Sequence, residues 1–152
     1  MSSSSGFMHS GRYRWINLYP PLLGAGIRVR HNQSDLYTVK VQLKLTRRNF
    51  NAVGTHFGGS LYAMCDPFFM LILLQHLGRD YIVWDKAASI QFLKPGRGTV
   101  TATFHISPEQ IAELSAQADR EGKIEPLFNV DVIDEQGEIV AKIEKRLYVR
   151  KR

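Results

Sequence analysis

At 152 residues, with 44% hydrophobic and 22% charged residues, the chain has the size and make-up of one ordinary globular domain. Its formal charge of +6 and pI near 9.6 suit an anionic partner: nucleic acid, a phosphate-bearing small molecule or a membrane surface. The single cysteine, Cys65, excludes an internal disulfide and predicts a reducing compartment, the cytoplasm.

Residues 1–11 are rich in Ser and Gly and predict a flexible tail, with residues 12–152 as a single domain. The opening Met1–Gly6 has neither a basic region nor an apolar run, so no signal peptide is expected there. Arg12–Leu23 predicts a short helix giving out at Pro20-Pro21, and Gly24–His31 a first strand. From Tyr37 to Thr46 apolar residues alternate with polar ones, putting Val39, Val41, Leu43 and Leu45 on one face of a half-buried strand.

A glycine-rich corner, Asn51–Asp66, then leads into an apolar helical segment that ends near Gly78. Its longest uninterrupted apolar run, Pro67–Leu74, falls well short of the ~20 residues needed to span a bilayer, so it reads as a core element. Tyr81–Leu93 predicts a long strand, and the turn Lys94–Gly98 predicts a hairpin with Thr99–Ile106. Ser107-Pro108-Glu109-Gln110 carries the residues of a capping box with Pro at the first helical position, opening a helix that runs to about Gly122. Pro126–Ile133 and Glu138–Arg150 predict a second hairpin around Asp134–Gly137. The sum is an α+β fold, an antiparallel sheet wrapped around one long apolar helix.

From Phe57 to Leu74 the only charged residue is Asp66, and a carboxylate in such a run is costly unless bonded or paired. Two readings stand. In one, Asp66 caps a helix starting at Pro67. In the other, the helix starts near Gly58 and Pro67 lies inside it, forfeiting its bond to the Ala63 carbonyl. The second reading carries chemistry. Gly58 and Gly59 let a ligand approach the backbone, and the free N–H groups of a helix start hold a developing oxyanion. Asp66 would then act on water as a general base, or as a nucleophile, while Asn51 orients water or a carbonyl. Cys65 in an apolar setting is expected to be inert. The five histidines show no ligand spacing, and no metal or nucleotide motif is present.

Asn51, Gly54, Gly58, Gly59 and Asp66 fall in register with N-x-x-G-x-x-H-G-G-(x)6-D, the signature of hotdog-fold acyl-CoA thioesterases related to phenylacetate-pathway enzymes. Across residues 12–150 the chain also resembles an uncharacterised bacterial family of that superfamily, through Gly59-Ser60-Leu61-Tyr62, Asp66-Pro67-Phe68-Phe69, Trp84-Asp85-Lys86 and Phe92-Leu93-Lys94-Pro95-Gly96. The resemblance implies a hotdog fold and a homodimer or homotetramer with the site between subunits. It implies a small-molecule thioester as substrate, with coenzyme A as part of that substrate and no separate cofactor. It gives the catalytic roles to Asp66, Asn51 and the Gly58–Gly59 turn. The family's histidine position is Phe57 here, with His56 one residue earlier. His56 is therefore a further catalytic candidate, and Phe57, with Thr55 and Ser60, a candidate for lining the substrate pocket.

Two outlying features complete the set. Asp85 shares a strand face with Val83, Ala87, Ser89 and Gln91, which either flanks a cleft or is a surface acid paired to a base. In the last strand Val140, Lys142, Glu144, Arg146, Tyr148 and Arg150 fall on one face. With Arg97 they form either a phosphate-binding strip or a solvated outer face. Non-catalytic thioester binding, and a basic module for nucleic acid or anionic lipid, are the competing functions. No recognition pattern for specific nucleic-acid binding is present.

Overall fold

The computed structural model describes residues 13–30 and 36–152; the tail expected over residues 1–11 and the end of the first predicted strand lie outside them. Two short helices, α1 (Tyr13–Ile16) and α2 (Pro20–Ala25), come first. Pro20-Pro21 starts α2 instead of ending a helix, because proline is tolerated in a first turn, where its missing N–H has no helical partner. The sheet comprises β1 (Ile27–Val29), β2 (Thr38–Lys44), β3 (Tyr81–Phe92), β4 (Thr99–His105), β5 (Lys123–Ile124), β6 (Leu127–Ile133) and β7 (Ile139–Lys151). The remaining helices are α3 (Gly58–Ala63), α4 (Phe68–Leu77) and α5 (Pro108–Glu121).

The strands run β1-β2-β4-β6-β7-β3, antiparallel throughout, with β5 beside β7. The hairpin predicted for β3 and β4 does not form. β3 pairs with β7, and β4 pairs with β2 and β6. The Lys94–Gly98 turn has hairpin composition, yet it carries the chain from one edge of the sheet to its interior. The β6–β7 hairpin forms as predicted, with Phe128 opposite Lys145 and Val130 opposite Ile143. At the start of α5 the Ser107 hydroxyl accepts from Gln110 N–H while the Gln110 carboxamide accepts from Ser107 N–H, a complete capping box.

The core lies between the inner sheet face and α4, where Phe68, Phe69, Ile72 and Leu73 are buried. Phe69 meets Phe104 edge-on at 5.0 Å and stacks on Phe128 at 4.9 Å, joining the helix to β4 and β6. The 23-residue helical stretch Gly58–Asp80 is long and apolar enough to cross a bilayer by length and composition. It is broken between Ala63 and Phe68 and packs into the sheet, which makes it the core helix.

A bulge in β3 changes which of its residues face inward. Asp85 pairs with Leu147 and Ala87 with Arg146, leaving Lys86 unmatched. Val83 and Asp85 therefore face inward before the bulge, and Ala88 and Ile90 after it, opposite Lys145 and Ile143. The continuous face Val83-Asp85-Ala87-Ser89-Gln91 expected from alternation is split at that point.

Candidate functional site: a buried lysine and two aspartates

The loop from Thr46 to Phe57 is built by its own amides. Asn51 Oδ1 accepts from Val53 N–H and Thr55 N–H, both at 3.0 Å, while Asn51 Nδ2 donates to Thr55 Oγ1 at 2.9 Å and to the His56 carbonyl at 3.2 Å. Both amide hydrogens and both carbonyl lone pairs are thus used inside the loop. Asn51 positions the loop and has no polar capacity left over for a water. Gly54, with φ of 79°, closes the turn by donating to the Asn51 carbonyl.

His56 is buried, and its Nε2 lies 2.8 Å from the Gly98 carbonyl. A carbonyl can only accept, so Nε2 carries the proton and Nδ1 is bare. Among the described residues no donor reaches that Nδ1. Burial lowers the His56 pKa, with the Gly98 bond opposing it. The same Gly98 carbonyl accepts from Leu45 N–H, and the Gly96 carbonyl accepts from His56 N–H. The Lys94–Gly98 turn is therefore the hub joining β2, the Asn51 loop and the β6–β7 turn, to which Lys94 is paired through Asp134 and Glu138.

The glycine corner opens α3. No described group accepts from Gly58 N–H or Gly59 N–H, as expected for the first two helical positions. Two rings cover it. A Cβ at Gly59 would lie 2.6 Å from Phe57 Cε1, and one at Gly58 would lie 3.1 Å from Phe92 Cζ, so a side chain at either position would push one of these exposed rings aside. Phe57 is the flanking residue of α3 and is mostly exposed, while Thr55 and Ser60 are buried beside it.

The structure divides the two sequence readings. A short helix, α3, begins at Gly58 and breaks off after Ala63, where Asp66 N–H bonds the Ala63 carbonyl at 3.3 Å, and a second helix, α4, begins at Phe68 just past Pro67. The Asp66 side chain caps nothing. Its Oδ1 accepts from Tyr62 Oη at 2.9 Å and from Lys145 Nζ at 3.2 Å, and Lys145 Nζ also donates to the Asp66 carbonyl at 2.7 Å. Half of the Asp66 side chain is exposed, and no hydrogen bond from a described residue reaches Oδ2.

Lys145 was not among the residues singled out from the sequence. It is fully buried on the inner face of β7, 3.0 Å from Asp85 Oδ1 and 5.3 Å from the centre of the Tyr62 ring. The Asp85 contact is an ion pair out of line for a hydrogen bond. Burial works to lower the Lys145 pKa, but Asp85, Asp66 and Tyr62 together overcome it, and the net direction is up. Burial, opposed by Lys145 and helped by the Asp66 charge, raises that of Asp85. Burial likewise pushes the Cys65 thiol up to about 12, in keeping with an inert thiol.

The structure therefore gathers Tyr62, Asp66, Asp85 and Lys145, with Gly58, Tyr62 and Asp66 spaced four apart along one side of the helix. Arg97 is exposed on the hub turn and has no ion-pair partner among the described residues. Arg146 faces outward, opposite in direction to Lys145, and pairs with Glu125. The predicted basic strip is in the main a solvated outer face, although Val140 is buried there because β7 breaks its alternation at Val140-Ala141. A shallow depression of about 370 Å³ on this outer face, lined in part by Ser89, Gln91, Asn129 and Lys142, is separated from Asp66 by the sheet. No metal-holding group of His, Cys, Asp or Glu is found among the described residues.

An antiparallel sheet in this order, wrapped around a helix that starts at a glycine corner, is the hotdog fold. The chain belongs to the family described as a domain of unknown function, DUF4442, which matches residues 13–149. It is similar to a Pseudomonas aeruginosa protein of unknown function described as a probable thioesterase: TM-score 0.81, 21% identity, 97% of this chain and 100% of that one. A Chlorobaculum tepidum protein of unknown function superposes with a TM-score of 0.75 at 17% identity, covering 94% of each chain. A Haemophilus influenzae thioesterase does so with a TM-score of 0.69 at 14% identity, covering 97% and 94%. No protein of curated function matches the chain.

The buried neutral His56 has a signature in stability. Its folded pKa lies below 6.5, so the unfolded chain binds the proton first, and stability falls as pH drops from 6.5 towards the folded value. Urea denaturation across that window is expected to show the fall in the wild type and to lose it in His56→Gln. An identical fall in both proteins would contradict the assignment.

Proposed function

We propose that this protein hydrolyses a thioester, with an acyl-CoA as the substrate class and Asp66 as the group that acts on water or on the carbonyl. The observation that carries the reading is the Asp66 carboxylate: Oδ1 is held by Tyr62 and Lys145, while Oδ2, on a half-exposed side chain, has no hydrogen bond from a described residue. Held in this way, the carboxylate keeps one orientation and offers one oxygen. Oδ2 takes a proton from water as the oxygen attacks the thioester carbon. The developing oxyanion is met by Gly58 and Gly59 N–H, and the C–S bond breaks as the thiolate regains a proton. Asp66 as direct nucleophile gives an anhydride that water then opens. Arg97, exposed and without an ion-pair partner among the described residues, is a guanidinium available to a coenzyme A phosphate, while Arg146 lies 3.6 Å from Glu125.

Two copies complete the site in this reading. Among the described strands β3 is an edge strand paired with β7 alone, and Phe50, Val53, Phe57, Phe92 and Leu93 are exposed near its end and at the glycine corner. Antiparallel pairing of β3 with its equivalent would cover that edge and extend the sheet. The lone reduced cysteine supports a cytoplasmic setting.

One observation favours a second reading, thioester binding without turnover. The Phe57 ring, in the family's histidine position, lies over Gly59, and Asn51 is saturated by its own loop.

Thiol release from short, medium, long and aromatic acyl-CoAs separates the two. Asp66→Asn keeps an acceptor for Tyr62 and is expected to cost about 100-fold or more in turnover, with an unchanged circular dichroism spectrum. Absence of turnover across the panel, with binding retained, would install the second reading. Light scattering is expected to give at least twice the chain mass of 17.3 kDa; a monomer at every concentration would remove the shared site.

A further inference from the structure

The net positive charge of the chain sits in its first 65 residues. They hold eight Lys and Arg against one acid, Asp35, a net +7; the other 87 hold twelve against thirteen, a net −1, which together make the +6 of the whole chain. Every ion pair found among the described residues takes its cation from the second part. Arg28, Arg30, Lys40, Lys44, Arg47 and Arg48 have no acidic partner among the described residues.

Apolar side chains are exposed at the same end. Trp15, Leu18, Tyr19 and Leu23 are 70%, 57%, 55% and 39% exposed, while Leu22 and Ile16 face the core. From Trp15 to Leu23 apolar side chains thus lie on both sides, whereas a surface helix facing water is ordinarily polar on its outer side. The segment is held firmly. Asn17 Oδ1 accepts from Val29 N–H at 2.7 Å and Asn17 Nδ2 donates to the Val29 carbonyl at 3.3 Å, closing the free edge of β1. Asn49 Nδ2 donates to the Ala25 carbonyl at 3.2 Å, bringing the loop that carries Arg47 and Arg48 against the end of α2.

We propose that this end of the molecule docks on an anionic lipid surface, with Trp15, Leu18 and Tyr19 entering the headgroup layer and Arg28, Arg30, Arg47 and Arg48 meeting lipid phosphates. Unpaired cations beside exposed Trp, Tyr and Leu are the composition of an interfacial segment. Nucleic acid would use the cations and leave the leucines in water. A second copy paired along β3 would leave this end free, because β1 and β3 lie at opposite ends of the strand order. The docking does not depend on hydrolysis at Asp66, and its test reads no turnover.

The test uses the full chain carrying Trp84→Phe, so that Trp15 is the single tryptophan. Flotation with phosphatidylcholine vesicles, with and without phosphatidylserine, is expected to show binding only where phosphatidylserine is present. Trp15 emission should shift to the blue on binding, and added salt should weaken it. Arg47→Glu with Arg48→Glu is expected to lower partitioning about tenfold or more, and Leu18→Ser to lower it independently. Both changes are at exposed positions, and the arginine variant decides if Leu18→Ser fails to fold. The proposal is overturned by no binding to either vesicle, or by binding that ignores the arginine variant. It is equally overturned by a Trp15 shift that follows protein concentration without lipid, or by capture on an RNA homopolymer while vesicles are ignored.

Discussion

The Lys145 ammonium is the constraint around which the candidate site is arranged. An ammonium with no exposed surface needs counter-charges and acceptors within reach, or it costs several kcal/mol, on the order of the whole stability of a domain. The fold answers with two carboxylates from different elements: Asp66 at the break between α3 and α4, and Asp85 beside the bulge in β3. The break and the bulge are therefore linked features. Pro67 loosens the helix where the Asp66 carbonyl turns to Lys145, and the extra residue after Asp85 returns Ala88 and Ile90 to the face that Asp85 shares with Lys145.

This arrangement leaves the cluster one negative charge in excess when both acids are ionised, with Asp66 the more exposed of the two. Asp85, the less exposed of the two, is an ion-pair partner of Lys145, while Asp66 takes its hydrogen bonds through Oδ1 and the main-chain carbonyl. The glycine corner is fixed separately, through the Asn51 amide network and the His56 link to the Lys94–Gly98 turn. Orientation of the acid and shape of the glycine corner thus rest on different interactions, and damage to one need not disturb the other.

Much of this was legible in local pattern. The Val39-Val41-Leu43 alternation, the Ser107–Gln110 capping box, the glycine corner and the Asp134–Gly137 hairpin each depend on neighbours in sequence, and each formed. Long-range pairing was not legible. The turn after β3 has hairpin residues, yet the partner of β3 is β7, some fifty residues on. Lys145 leaves a trace in the sequence. The alternation that puts Lys142, Glu144 and Arg146 outward must put Lys145 inward with Ile143 and Leu147, and a lysine in an apolar register calls for buried acids elsewhere. The role given to Asn51 depends on where its amide points, which residue type and spacing do not determine.

Lys145 is tolerated in the core only because Asp66 and Asp85 neutralise it. Urea denaturation of Lys145→Met, alone and combined with Asp66→Asn and Asp85→Asn, tests it directly. Lys145→Met alone should cost about 1–2 kcal/mol, chiefly by stranding Asp85, since Asp66 is half exposed to water, and the neutralised triple variant should recover most of that loss. A triple variant no more stable than Lys145→Met would contradict the account.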